Sequence, residues 1–108
     1  MAKLSLTPPE TFFLSVPLPV PGQASVPVRF QFRYRDRESL KAFKAKVFDV
    51  PVEEAITDEQ ALADILAGWD LDDDFTPDNI ARLCAAYPSA GFVIVGAYLN
   101  EQLGIRKA

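Results

Sequence analysis

Four aspartates crowd the stretch Trp69-Asp70-Leu71-Asp72-Asp73-Asp74-Phe75, and carboxylates at alternate positions are what a hard cation needs. Asp70, Asp72 and Asp74 match the first, third and fifth ligand positions of a calcium-binding loop. The match stops there. Phe75 stands where such a loop needs glycine for its sharp turn, and Ala81 where it needs a bidentate glutamate. Acid–base work by paired carboxylates needs one of them held in an apolar pocket that raises its pKa. Consecutive aspartates at a chain corner occupy the opposite environment, solvated and ionised together. The chain has no histidine, which removes the commonest general base, and one cysteine, which excludes an internal disulfide and a cysteine-built zinc site. That cysteine, Cys84, lies on an apolar stripe with no partner to activate it, so it reads as a buried, inert thiol. We therefore assign no catalytic residue, no metal ligand and no cofactor. Metal-dependent hydrolysis at the aspartates is the least favoured alternative.

The chain that must position this corner has 108 residues, 49% of them hydrophobic and 24% charged. Those totals fit one globular domain over residues 1–108, β-rich through residue 35 and helical from residue 36. The net charge of −4 argues against general nucleic-acid binding, which leaves a basic footprint. Charge is also unevenly placed. Lys3, Arg29, Arg33, Arg35, Arg37, Lys41, Lys44 and Lys46 precede position 48, whereas residues 49–79 hold eleven acids and no cation. The longest apolar run, residues 90–99, is about half of the ~20 residues that a spanning helix needs, so no membrane role is expected. The beginning of the chain lacks the pattern of a secretory leader, and an intracellular location is expected.

Residues 11–20 alternate, with Phe12, Leu14, Val16, Leu18 and Val20 on one side, the mark of a strand. Pro17 and Pro19 place it at a sheet edge or bulge. Pro21-Gly22-Gln23 is a turn, and residues 25–35 alternate again, with Val26, Val28, Phe30, Phe32 and Tyr34 inward and Arg29, Arg33 and Arg35 outward. Asp36 caps a helix through Phe48. Thr57 with Gln60 forms a capping box for a second helix, whose stripe of Leu62, Ile65, Leu66 and Trp69 predicts that it runs to Gly68. Thr76-Pro77 starts a third helix and Pro88 a fourth, the latter with Phe92, Val95, Tyr98, Leu99 and Leu103 as its stripe. The expected class is α+β: an N-terminal β-hairpin, or small antiparallel sheet, packed against about four helices.

On this frame the acids are a helix-to-helix corner, and recognition is their natural use. The candidate contact patch is Trp69, Asp70, Asp72, Asp73, Asp74, Phe75, Phe92 and Tyr98. Arg29, Arg33, Arg35 and Arg37 form a basic face suited to opposite charge, including another copy's acids. This composition reads as a binding domain and not as an enzyme.

The order of Ile65-Leu66-Ala67-Gly68-Trp69-Asp70, the acidic turn, Phe75-Thr76-Pro77, Tyr87-Pro88 and Ala97-Tyr98-Leu99 resembles the tail assembly chaperones of long-tailed phages and prophages. The resemblance covers residues 58–103. It implies a non-enzymatic protein that binds and solubilises the tape measure protein and helps recruit the tail tube protein. It also implies action in the bacterial host cytoplasm, with absence from the mature virion. A homo-oligomer is a further expectation. A generic interaction adaptor of a mobile element is the alternative.

Overall fold

The computed structural model describes residues 6–104. Strand β1 (Thr11–Val20) and strand β2 (Gln23–Arg33) form the hairpin, turning at Gly22, whose φ of 84° lies in the left-handed region that favours glycine. Pairing is antiparallel from Thr11 opposite Arg33 to Val16 opposite Val28, with an irregularity between Leu18 and Val20. Pro17 lies opposite Pro27. Neither can donate, so the pair occupies a non-hydrogen-bonded position and turns both backbone nitrogens outward, away from the partner strand.

Helix α1 (Arg37–Phe48) begins at Asp36, whose Oδ1 accepts from the Ser39 backbone N–H at 2.9 Å. Helix α2 (Asp58–Ile65) begins with the complete capping box: Gln60 N–H donates to Thr57 Oγ1, and Thr57 N–H donates to Gln60 Oε1. A single 3-10 turn, Val52–Glu54, lies between them. Helices α3 (Pro77–Ala86) and α4 (Ala90–Leu103) follow, bent by 108° at the break between them. The fold is α+β, a three-stranded antiparallel sheet with four helices. Among the described residues no single helix is long and apolar enough to cross a membrane.

The principal departure from the sequence reading lies between α2 and α3. The second helix stops at Ile65, and Leu66–Trp69 form strand β3, antiparallel to β2 in the order β1-β2-β3. The backbone groups of Arg29 and Gln31 that face away from β1 need partners once buried. Gly68 pairs with Gln31, and the Asp70 N–H reaches the Arg29 carbonyl at 2.9 Å. Sheet pairing thus overrides a helical stripe of only a few residues. Leu66 still reaches the core, fully buried, whereas Trp69 is half-buried. The acidic corner is accordingly a strand-to-helix connection.

One core joins the layers. Val16, Leu18, Val28, Phe30 and Phe32 from the sheet meet Leu40 and Phe43 of α1, Leu62 and Ile65 of α2, and Ile94, Tyr98 and Leu99 of α4. Tyr98 is its centre. Its ring stacks at 5.3 Å from Phe32 and 6.1 Å from Phe12, meets Phe43 edge-on at 6.0 Å, and its hydroxyl donates to the Arg33 carbonyl at 2.9 Å. Helix α4 starts at Ala90, two residues later than Pro88 suggests, and its buried face is Ala90, Gly91, Ile94, Val95, Tyr98 and Leu99. Phe92, expected on that stripe, is 75% exposed, and Leu103 is exposed at the last turn.

Candidate functional site

The corner between β3 and α3 is held by its backbone. Trp69 Nε1 donates to the Asp73 carbonyl at 2.8 Å, and Asn79 Nδ2 donates to the Asp74 carbonyl at 2.8 Å. Thr76 caps α3 by accepting from the Asn79 N–H, with Pro77 in the first turn. Trp69 and Phe75 meet edge-on, ring centroids 5.1 Å apart, and both pack partly against the core. These ties fix the loop and leave the carboxylates outside. Asp70, Asp72, Asp73 and Asp74 are all exposed, and Arg82 approaches Asp73 only to 3.8 Å. Among the described residues no three Asp, Glu or Cys side chains are placed to hold a metal ion. The corner is a fixed display of negative charge on a tied backbone.

Beside it runs an apolar groove. A hollow of about 200 Å³ lies between the far end of the hairpin and α3, walled by Leu18, Val20, Val26 and Val28 on one side and Leu71, Leu83 and Tyr87 on the other. The last three also wall a second hollow of about 320 Å³, which continues to Trp69, Asp73, Asn79 and Arg82. The two hollows share Leu71, Leu83 and Tyr87; the first is apolar apart from Gln23, and the second carries Asp73 and Arg82 at the corner.

The eight patch residues predicted from sequence are not gathered into one surface. Trp69, Asp70, Asp72, Asp73, Asp74 and Phe75 come together at the corner. Phe92 is on α4 and makes no ring contact with Trp69 or Phe75 among the described residues. Tyr98 is fully buried and belongs to the core, because the inner face of the sheet requires a cover and α4 supplies it. The groove adds Leu71, Leu83 and Tyr87, which are outside the patch expected from sequence. Leu71 carried the one available signal, an apolar residue inside a run of aspartates.

The basic face is likewise divided. β2 ends at Arg33, so the outward alternation does not extend to Arg35. The Arg35 guanidinium instead donates to Asp64 Oδ1 at 2.6 Å and to the Asp64 carbonyl at 2.7 Å, and lies 5.6 Å from the Phe43 ring centroid. Its backbone N–H donates to Gln102 Oε1 at 2.7 Å. Arg35 is therefore an internal tie joining β2, α2 and α4. Arg29 covers the Phe13 ring at 4.2 Å on the outer sheet face, while Arg33 and Arg37 are exposed.

Neither thiol nor phenol is tuned for reaction. Burial pushes the Cys84 thiol up to about 11, with Glu59 and Asp58 adding to the shift, so the reactive thiolate is suppressed. Burial likewise raises the Tyr98 hydroxyl to about 12.

A protein-family model described as phage tail assembly chaperone matches residues 1–108, the whole chain. No curated protein and no solved structure matches it.

Proposed function

The chain belongs to the phage tail assembly chaperone family, and from that premise we propose that it binds the tape measure protein, keeps it soluble and helps recruit tail tube subunits. This work is done in the host cytoplasm, before the virion is complete. The family supplies the chaperone role in tail assembly, which is non-enzymatic. The observation that carries the finer reading is the pair of hollows that share Leu71, Leu83 and Tyr87, one walled by Val20, Val26 and Val28 of the hairpin and the other reaching Asp73 of the acidic corner. A tape measure protein is a long helix whose apolar stripes have no partner before the tube assembles around it, and exposed stripes aggregate. An amphipathic helix lays such a stripe into an apolar groove through residues spaced three and four apart. The groove receives those anchors. Asp70, Asp72, Asp73 and Asp74 attract the Lys and Arg that flank them, which favours encounter and fixes direction more than it adds affinity.

Co-expression with the tape measure protein of the same phage tests the proposal. The expected result is a client that moves to the soluble fraction and co-purifies with the chaperone; unchanged client solubility overturns it. Leu71→Ser is expected to weaken client capture about tenfold, the effect of losing roughly 1.4 kcal/mol of apolar contact. Capture equal to that of the wild type would remove the groove from the mechanism.

A further inference from the structure

The sheet has one long edge. In the order β1-β2-β3, the short β3 takes one side and β1 runs along the other. Pro17 and Pro27 make a non-hydrogen-bonded pair, so by alternation Ser15 with Arg29, Phe13 with Gln31 and Thr11 with Arg33 do the same. Two bonds agree with this parity. The Tyr34 N–H donates to the Glu10 carbonyl at 2.8 Å, in step with the bonded pairs, and the Arg29 carbonyl turns away from β1 to accept from Asp70. Thr11, Phe13 and Ser15 thus direct both main-chain N–H and C=O outward, and these groups have no hydrogen-bond partner among the described residues.

Edge strands are normally blunted by proline, by charge or by a cover. Here Pro17 and Pro19 blunt the hairpin end, while Thr11–Ser15 carries no charged residue. Helix α4 covers the inner face, with Tyr98 stacked on Phe12, yet Phe12 and Leu14 are only half-buried and Phe13 and Ser15 are exposed. A hollow of about 280 Å³ lies at the start of the strand, lined by Pro9, Phe12, Phe13, Tyr34, Glu101 and Gln102. Phe12 and Phe13 point to opposite faces of the sheet, so this hollow reaches both.

We propose that Thr11–Ser15 is a docking edge for an extended segment of another protein, about five residues long, which adds antiparallel to β1 as a fourth strand. Main-chain complementarity identifies the occupant: the row of outward donors and acceptors is matched by a backbone that is itself extended and unpaired at every second residue. Its side chains follow from the register. Residues opposite Phe12 and Leu14 fall on the inner face and are apolar, the one at Phe12 being aromatic to enter the hollow. Residues opposite Thr11, Phe13 and Ser15 fall on the outer face and are polar or β-branched. Pro17 ends the match, having no hydrogen on its nitrogen. The edge lies toward the open end of the hairpin, away from the groove at Leu18, Val20, Val26 and Val28, and stands independently of the client proposal.

The probe is the end-capped peptide Lys-Thr-Val-Thr-Phe-Thr-Lys, read by residue-resolved amide hydrogen exchange of the full chain. In the free protein the amides of Thr11, Phe13 and Ser15 are expected to exchange fast, and those of Phe12 and Leu14, bonded to β2, slowly. Peptide at millimolar concentration is expected to slow the first set about tenfold. Methylating the Thr nitrogens of the peptide removes its donors and keeps its side chains, and is expected to weaken binding at least tenfold. Ser15→Pro, which removes one outward donor in the manner of Pro17, is expected to do the same. Amides that stay fast at millimolar peptide overturn the proposal, as does a methylated peptide or a Ser15→Pro protein that binds like its parent. Amides that slow with protein concentration alone also overturn it, since a second copy then occupies the edge. Should circular dichroism show Ser15→Pro unfolded, the methylated peptide decides the matter on the wild-type chain.

Discussion

Tyr98 shows how one residue can join the layers of a small protein. Its ring lies among Phe12, Phe32 and Phe43, and its hydroxyl satisfies the Arg33 carbonyl at the last residue of β2. Burial is what raises its pKa from 10.0 to about 12; nearby Arg35 opposes the shift and Asp64 adds to it. The unfolded chain gives up this proton near 10 and the folded chain near 12, so the stabilising contribution is complete below about pH 10 and is lost as pH rises through about 12. Tyr98→Phe is expected to cost about 1 kcal/mol at neutral pH, the net worth of the hydrogen bond. It should also shrink the alkaline loss of stability. Urea denaturation near neutrality and near pH 11 checks both, and an alkaline loss identical to that of the wild type would contradict the assignment. From sequence, Tyr98 could be placed on an apolar stripe. Whether that stripe met the sheet or a partner depended on how α4 is rotated, which spacing does not state.

At the scale of elements, the close approach of α2 and α4 rests on Gly91. A Cβ at that position would lie 2.7 Å from the Asp58 Cβ and 2.6 Å from its Cγ, and the Asp58 Cβ is fixed to the first turn of α2. Gly91→Ala therefore pushes two helices apart. We expect a destabilisation of about 1–3 kcal/mol, of the order found for overpacking, measurable by thermal or denaturant unfolding. The caps at Asp36, Thr57 and Thr76 were legible in the sequence because each is a local bond between residues three apart. Strand β3 was not. Leu66–Trp69 fit a helical stripe, and what decides their state is the unpaired edge of β2, more than thirty residues earlier. The same edge explains Arg35, whose direction follows from where β2 ends and not from alternation along it.

For the molecule as a whole, the sign of charge separates along the chain and then along the fold, the acids at the corner beyond Arg29 and the free cations around α1. That division was readable in the sequence; the groove beside the corner was not, since its walls come from the hairpin, the corner and α3.

The paired prolines have a bearing on how a client can be held. Pro17 and Pro27 lie in the end of the hairpin whose Leu18, Val20, Val26 and Val28 form one wall of the groove. Both direct a nitrogen without hydrogen toward the outside, so an extended segment laid along either edge there finds a main-chain donor missing. Under the proposed function, addition of the client as another strand is disfavoured at that wall. The proposed groove instead favours a client whose own backbone is already satisfied, as in a helix, and which is read through its side chains. A grip of that proposed kind would leave no ladder of main-chain bonds to undo on release.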